Sequence, residues 1–148
     1  MSKILIIEDE QRKLDYLKDF LKMEFPDIEF GEKHSYNSAL KEIVENHTKY
    51  NLILLDMSMS TYDVSVEESG GVPEPLAGEN ILDAMFLNEI PTKVVVVTMY
   101  ESFVGKKLKA FNIELKENYP DNYLGFVFFS HKDTDWRVEL KKYITLTI

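Results

Sequence analysis

Cysteine is absent from the 148-residue chain, which excludes disulfides, thiolate metal ligands and a cysteine nucleophile. No apolar stretch approaches the ~20 residues that a membrane-spanning helix needs, and the apolar run after Met1 is too short for the core of a signal peptide. Basic residues are scarce, with 17 Lys and Arg against 26 Asp and Glu. This balance argues against nucleic acids and anionic membrane surfaces as partners. We therefore expect a cytoplasmic protein.

The remaining composition is that of a globular protein, with 45% hydrophobic and 29% charged residues. The length predicts one domain over residues 1–148. Apolar runs predict buried strands at 3–7, 52–55, 93–97 and 124–129, and a weaker signal predicts a strand at 28–30. Between and after them, apolar residues recur at helical spacing and predict helices over Gln11–Phe25, from Asn37 or Ser38, around Ile81–Phe86 and Val104–Leu115, and from Asp133 or Thr134. This alternation predicts an α/β fold with a doubly wound, five-stranded parallel sheet.

Residues 57–79 interrupt the alternation with a long acidic loop. The segment contains Gly70-Gly71, two prolines and five carboxylates, and it has no basic residue. Loops longer than about 12–15 residues are usually functional or disordered. The segment is therefore a candidate lid or partner-binding insert.

Polar side chains follow several predicted strands, at the sheet edge where ligands bind in such folds. Glu8 and Asp9 follow the first strand, Asp56 follows the third, and Thr98 ends the fourth. Converging carboxylates repel one another unless a cation shares the site, and oxygen ligands without His or Cys suit Mg²⁺. Lys132, just past the fifth strand, and the Thr98 hydroxyl would complete a site for a phosphoryl group on Asp56. Each acid taken singly could instead cap a helix or be solvated.

Three stretches resemble the receiver domain of two-component response regulators: KILIIEDE, NLILLDMSM and KVVVVTMYES. The resemblance implies a flavodoxin-like topology and phosphorylation of Asp56. It also implies a Mg²⁺ site made of Glu8, Asp9, Asp56 and the backbone carbonyl of Ser58. Thr98 matches the switch hydroxyl that moves toward the phosphoryl oxygen.

The chain departs from the family's pattern around the acceptor and after the fifth strand. Ser60 follows Met59 where the family usually has proline, and the loop before Gly78, which matches the family's glycine at the opening of helix 3, is longer. The family has Lys-Pro directly after the fifth strand, whereas this chain reads FFSHKD. If Lys132 is the family's lysine, Phe129 takes the position of the aromatic that turns inward in the active state. Lys132 could instead be a solvated loop lysine.

Three functions remain open at this point. The first is a phosphoacceptor receiver that takes phosphate from a histidine kinase or phosphotransfer protein and acts on a downstream protein partner or a homodimer. Its chemistry would extend at most to self-phosphorylation from a phosphodonor and autodephosphorylation. The second is a pseudo-receiver that serves as a phosphorylation-independent interaction module. The third is a Mg²⁺-dependent phosphohydrolase, but Ser58 stands where the haloacid-dehalogenase pattern needs a second Asp.

Overall fold

Five strands form one parallel sheet in the computed structural model of the chain, which describes residues 2–60, 73–103 and 105–148. They are β1 (Lys3–Ile7), β2 (Glu29–Lys33), β3 (Leu52–Leu55), β4 (Lys93–Thr98) and β5 (Tyr123–Phe128). The order across the sheet is β2-β1-β3-β4-β5. This order confirms the predicted α/β fold and its flavodoxin-like topology, whose strand order reverses between β1 and β3.

Five helices cover the two faces of the sheet. They are α1 (Gln11–Glu24), α2 (Tyr36–Asn46), α3 (Ala77–Leu87), α4 (Leu108–Asn118) and α5 (Asp135–Thr147). Helices α1 and α5 pack on one face against Ile4 and Ile6, while α2, α3 and α4 pack on the other against Leu5 and Ile7. Burial on both faces explains why the central strands have continuous apolar runs. Every helix in the described part of the chain is too short or too polar to serve as a membrane span.

Several boundaries differ by a few residues from the sequence prediction, and two of these differences have local reasons. Ser35, rather than Asn37 or Ser38, caps α2, because its side-chain oxygen accepts a hydrogen bond from the Ser38 backbone amide at 3.3 Å. Strand β2 extends to Lys33 because it pairs with β1 along the whole length of that strand. It lies at the sheet edge and is only partly buried, so its sequence has no apolar run.

The predicted insert is bracketed by short strands. Met59–Ser60 pairs antiparallel with Pro73–Glu74, and α3 then begins at Ala77. Residues 61–72, which form most of the predicted insert, and Val104 lie outside the described residues. The pairing brings Ser60 and Pro73 together shortly after the end of β3.

Candidate functional site

The carboxyl ends of β1 and β3 bring three acidic side chains together. The strands are neighbours in the sheet, and the Asp56 amide donates a hydrogen bond to the Ile7 carbonyl at 3.0 Å. One carboxylate oxygen from each of Glu8, Asp9 and Asp56 lies within 4.8 Å of the others. These acids line a cavity of about 310 Å³ together with Glu10, Lys13, Ser58, Met99 and Tyr100. The structure therefore brings together all four residues of the predicted metal site.

The three carboxylates occupy different environments. Glu8 is 1% exposed and Asp56 is 6% exposed, whereas Asp9 lies at the surface. The Asp56 Oδ1 atom accepts a hydrogen bond from the Met57 amide at 2.8 Å, and the Asp9 Oδ2 atom accepts one from the Ser60 amide at 3.0 Å. The segment after β3 thus holds both aspartates in place through its own backbone.

Crowding and burial disfavour negative charge at this edge of the sheet. Burial raises the pKa of Glu8 to about 9, with Lys13 opposing the shift and Asp56 adding to it. Burial also raises the pKa of Asp9, where the Ser60 hydrogen bond opposes the shift and the Asp56 charge adds to it. A cation bound among the three acids would relieve both effects.

A lysine that the sequence analysis did not single out contacts two of these acids. The Lys13 Nζ atom lies 2.6 Å from Glu8 Oε1 and 3.4 Å from Asp56 Oδ1, and it donates a hydrogen bond to the Val97 carbonyl at 2.6 Å. The side chain is 1% exposed. Burial lowers the pKa of Lys13, but the charges of Asp56 and Glu8 outweigh burial and the net shift is upward. The structure therefore contains a buried ammonium group beside Asp56.

The helical spacing of α1 contains a signal for this lysine. Lys13, Leu17 and Phe20 follow one another at positions i, i+4 and i+7, so they share one face of the helix. That face is the buried one. Because lysine is almost never fully buried without a partner, its place on an apolar stripe predicts an acidic neighbour.

The other two predicted residues lie outside the acidic cavity. Thr98 is fully buried at the end of β4, and its Oγ1 atom accepts a hydrogen bond from the Tyr100 amide at 3.1 Å. Lys132 is exposed, and its backbone amide donates to Ser130 Oγ at 3.1 Å. It lines a different cavity of about 240 Å³. Among the described residues, the ion pair to Asp56 comes from Lys13.

The residue directly after β5 is a buried aromatic. Phe129 is 1% exposed, and its ring lies 4.9 Å from the Trp136 ring and 5.0 Å from the His131 ring, measured between centroids. Its backbone amide donates to the Thr98 carbonyl at 2.7 Å. Phe129, which matches the family's inward-turning aromatic if Lys132 is the family's lysine, is therefore buried among apolar side chains on the α1 and α5 face.

The chemistry of the donor set fits Mg²⁺. All three converging ligand atoms are carboxylate oxygens, and two or three such ligands completed by water suit a hard cation. The Ser58 residue lines the same cavity. The carboxylates of Glu8, Asp9 and Asp56 could therefore hold the ion, and Lys13 would neutralise part of their charge.

The chain aligns over almost its whole length with two curated relatives, while no family model matches it. It is 32% identical over 145 residues to the uncharacterized protein y4jR of Sinorhizobium fredii, with 94% of each chain covered. It is 29% identical over 148 residues to the Detocs response regulatory protein DtcB of Enterobacter cloacae, with 97% of this chain and 98% of that protein covered.

Solved structures of low sequence identity share the fold. The receiver domain of Francisella response regulator 1452 superposes with a TM-score of 0.68 at 20% identity, covering 99% of this chain and 96% of that one. The response regulator TrrA from Thermotoga maritima, solved in complex with Mg²⁺-BeF, superposes with a TM-score of 0.62 at 20% identity over both full chains. With its acids at the ends of β1 and β3 and this sheet topology, the chain has the fold of the response regulator receiver domains to which it is similar.

Proposed function

We propose that the chain is a phosphoacceptor receiver in which Mg²⁺-dependent phosphorylation of Asp56 changes a partner-binding surface. The observation that carries the proposal is the position of Asp56. Its carboxylate lines a cavity at the end of β3, with Glu8 and Asp9 of the adjacent strand end within 4.8 Å. An acid that lines a cavity can meet a phosphodonor, whereas a merely structural acid needs no cavity.

The proposed transfer step takes place on the Asp56 carboxylate. One of its oxygens attacks the phosphorus of a phosphohistidine on a histidine kinase or phosphotransfer protein. The P–N bond breaks, its electron pair passes to the imidazole nitrogen, and solvent protonates that nitrogen. The products are an acyl phosphate on Asp56 and a free histidine. Bound Mg²⁺, held by Glu8, Asp9, Asp56 and the Ser58 carbonyl, would supply positive charge for the phosphoryl oxygens.

Loss of the phosphoryl group follows the same chemistry with water as the nucleophile. Water attacks the phosphorus, the P–O bond to the Asp56 carboxyl breaks, and inorganic phosphate leaves. The cavity is open to solvent at Asp9, which is exposed. We therefore expect slow autodephosphorylation in addition to phosphorylation.

Output would pass from Thr98 to the β5 end of the sheet. Thr98 accepts a hydrogen bond from Tyr100 through its hydroxyl oxygen, so its hydroxyl proton is available to a phosphoryl oxygen. Its carbonyl accepts the Phe129 amide, which links the two strand ends directly. A shift of Thr98 would thus reach the β5 and α5 surface, where a downstream protein or a second copy of the chain would bind. We place this signalling in the cytoplasm.

Phosphate incorporation from a small donor tests the proposal. We expect intact-mass spectrometry to show one phosphoryl group after incubation with acetyl phosphate and Mg²⁺, and none in the Asp56→Asn variant. The Asp19→Asn variant changes an exposed aspartate of α1 and should keep the wild-type yield. Unmodified wild-type protein, or equal incorporation in Asp56→Asn, would overturn the proposal. The first result would favour the pseudo-receiver, in which a partner binds without phosphorylation.

A further inference from the structure

We infer that Lys13 is the phosphoryl-binding lysine of this site, so that helix α1 rather than the loop after β5 supplies the ammonium group. The inference rests on the proposed function, because it names the group that would meet the phosphoryl oxygens on Asp56. The contacts of Lys13, its burial and the charge of the cavity each support it.

The contacts hold the ammonium in place while leaving one direction available. Two of them, to Glu8 Oε1 and to the Val97 carbonyl, are 2.6 Å long. The third, to Asp56 Oδ1, is 3.4 Å long. Charge-assisted N–H···O bonds are typically about 2.7–2.9 Å, so the proton facing Asp56 is the weakly held one. This N–H group can donate its hydrogen bond to a phosphoryl oxygen while the contacts to Glu8 and Val97 remain.

Burial makes this placement effective. The Lys13 side chain is almost completely enclosed, and the helical face that it shares with Leu17 packs against the sheet. A donor fixed in a site of low dielectric stabilises developing negative charge without first reorganising solvent. Lys13 therefore meets the physical requirements for binding the transferred group.

The charge of the cavity requires such a group. Phosphorylation places about -1.5 to -2 charges on an oxygen-rich group, next to the carboxylates of Glu8 and Asp9. Within the described ranges, Lys13 is the cationic residue that lines this cavity. Lys132 is exposed and lines the cavity formed with Tyr16 and Phe129 instead.

The first experiment compares three lysine variants with the wild type. We expect Lys13→Met to slow phosphorylation by acetyl phosphate on the order of a hundredfold at saturating Mg²⁺, the loss typical of removing one preorganised donor. Lys132→Met tests the alternative lysine directly, and Lys116→Met, exposed on α4, is the matched control expected to keep the wild-type rate. The Mg²⁺ affinity is measured separately. A lysine that only neutralises the acids would change this affinity without changing the rate at saturation.

A second experiment keeps the side-chain shape and changes only the charge. Because the chain has no cysteine, the Lys13→Cys variant can be alkylated uniquely in denaturant and refolded. Alkylation with 2-bromoethylamine restores an ammonium group, whereas 2-bromoethanol gives a neutral side chain of similar length. We expect rapid phosphorylation to return with the ammonium alone. Circular dichroism and the unfolding midpoint establish that both products fold, even if Lys13→Met does not.

The outcomes separate the inference from the proposed function. Wild-type protein that takes no phosphate overturns both. If the wild type is phosphorylated, two results overturn the inference alone. The first is that Lys13→Met is phosphorylated at the wild-type rate, and the second is that Lys132→Met slows phosphorylation more than Lys13→Met does. Equal recovery by the neutral and the charged alkylation products has the same meaning, because shape rather than charge would then be sufficient.

Discussion

A β-carbon built on Gly78 would lie 2.8 Å from the backbone oxygen of Asp56 and 3.0 Å from the Cα atom of Met57. The second residue of α3 therefore packs directly on the backbone that carries the proposed acceptor. The Gly78 amide also donates a hydrogen bond to the Met57 carbonyl at 2.9 Å. The start of α3 therefore packs against the backbone of Asp56 and Met57, and a hydrogen atom is the largest substituent that this contact admits.

We expect the Gly78→Ala variant to be destabilised by about 2 kcal/mol, because a methyl group in a closed backbone contact forces the chain to move. Since the displaced backbone belongs to Asp56, acetyl phosphate should also modify this variant more slowly. Urea unfolding and intact-mass kinetics measure the two effects. Asn80→Ala, which changes an exposed position two residues later in α3, should stay within about 0.5 kcal/mol of the wild type. Unchanged stability in Gly78→Ala would show that α3 does not press on the acceptor segment.

Magnesium should reverse the stability order of the wild type and the Asp9→Asn variant. Without the ion, the free energy of unfolding of the variant should exceed that of the wild type by ~1 kcal/mol, because the wild type keeps a repulsion between like charges. This value is the size of such a repulsion between partly solvated groups. Asparagine can still accept the Ser60 amide through its oxygen, so the hydrogen bond survives. At a Mg²⁺ concentration of about 100 times the dissociation constant, the wild type gains about 2.7 kcal/mol. Thermal unfolding with and without MgCl₂ measures both values.

Two controls separate ion binding from charge screening. The same ionic strength supplied as KCl should leave the stability difference close to its value without Mg²⁺. Asp19→Asn should respond to Mg²⁺ as the wild type does, because Asp19 is an exposed residue of α1 outside the acidic cluster. A Mg²⁺ gain in Asp9→Asn equal to that of the wild type would show that Asp9 is not a ligand.

Burial on both faces explains why the central strands were predictable from the sequence. Strands β1 and β3 run over the predicted residues, and β4 differs by the one residue Thr98, because the interior positions of these strands face a helical layer and are apolar. Acids directly after such runs then fall at one sheet edge by topology alone. The three acids of the predicted metal site could therefore be expected at one sheet edge from the sequence alone. Edge strand β2 has no such pattern, and its bounds needed the pairing with β1.

The lysine that contacts the acids could not be placed by the same reasoning. Lys132 follows the last strand in sequence, yet it is exposed and lines a different cavity, while Phe129 packs in the core beside Trp136. Lys13 contacts the acids from helix α1, and the order of residues along the chain does not show that contact. The spacing of α1 contained the necessary information. A lysine on the apolar stripe with Leu17 and Phe20 predicts a buried ion pair.

Trp136 should report the phosphorylated state. It is the single tryptophan of the chain, and it packs on Phe129, whose amide donates to the Thr98 carbonyl. A movement of Thr98 toward a phosphoryl oxygen would therefore shift the ring that lies against the indole. We expect beryllofluoride, a phosphoryl mimic, to change the tryptophan fluorescence in the presence of Mg²⁺. Stopped-flow fluorescence measures the amplitude and its dependence on the concentration of the mimic.

Variants at both ends of this connection determine whether the signal follows the proposed route. Asp56→Asn should abolish the change because the mimic has no carboxylate to bind. Thr98→Val keeps the size of the side chain and removes the hydroxyl, so it should bind the mimic and show a much smaller fluorescence change. Beryllofluoride binding is followed independently by ¹⁹F NMR. A full fluorescence change in Thr98→Val would show that Phe129 and Trp136 sense the site by another route, since the hydroxyl would then be dispensable for coupling.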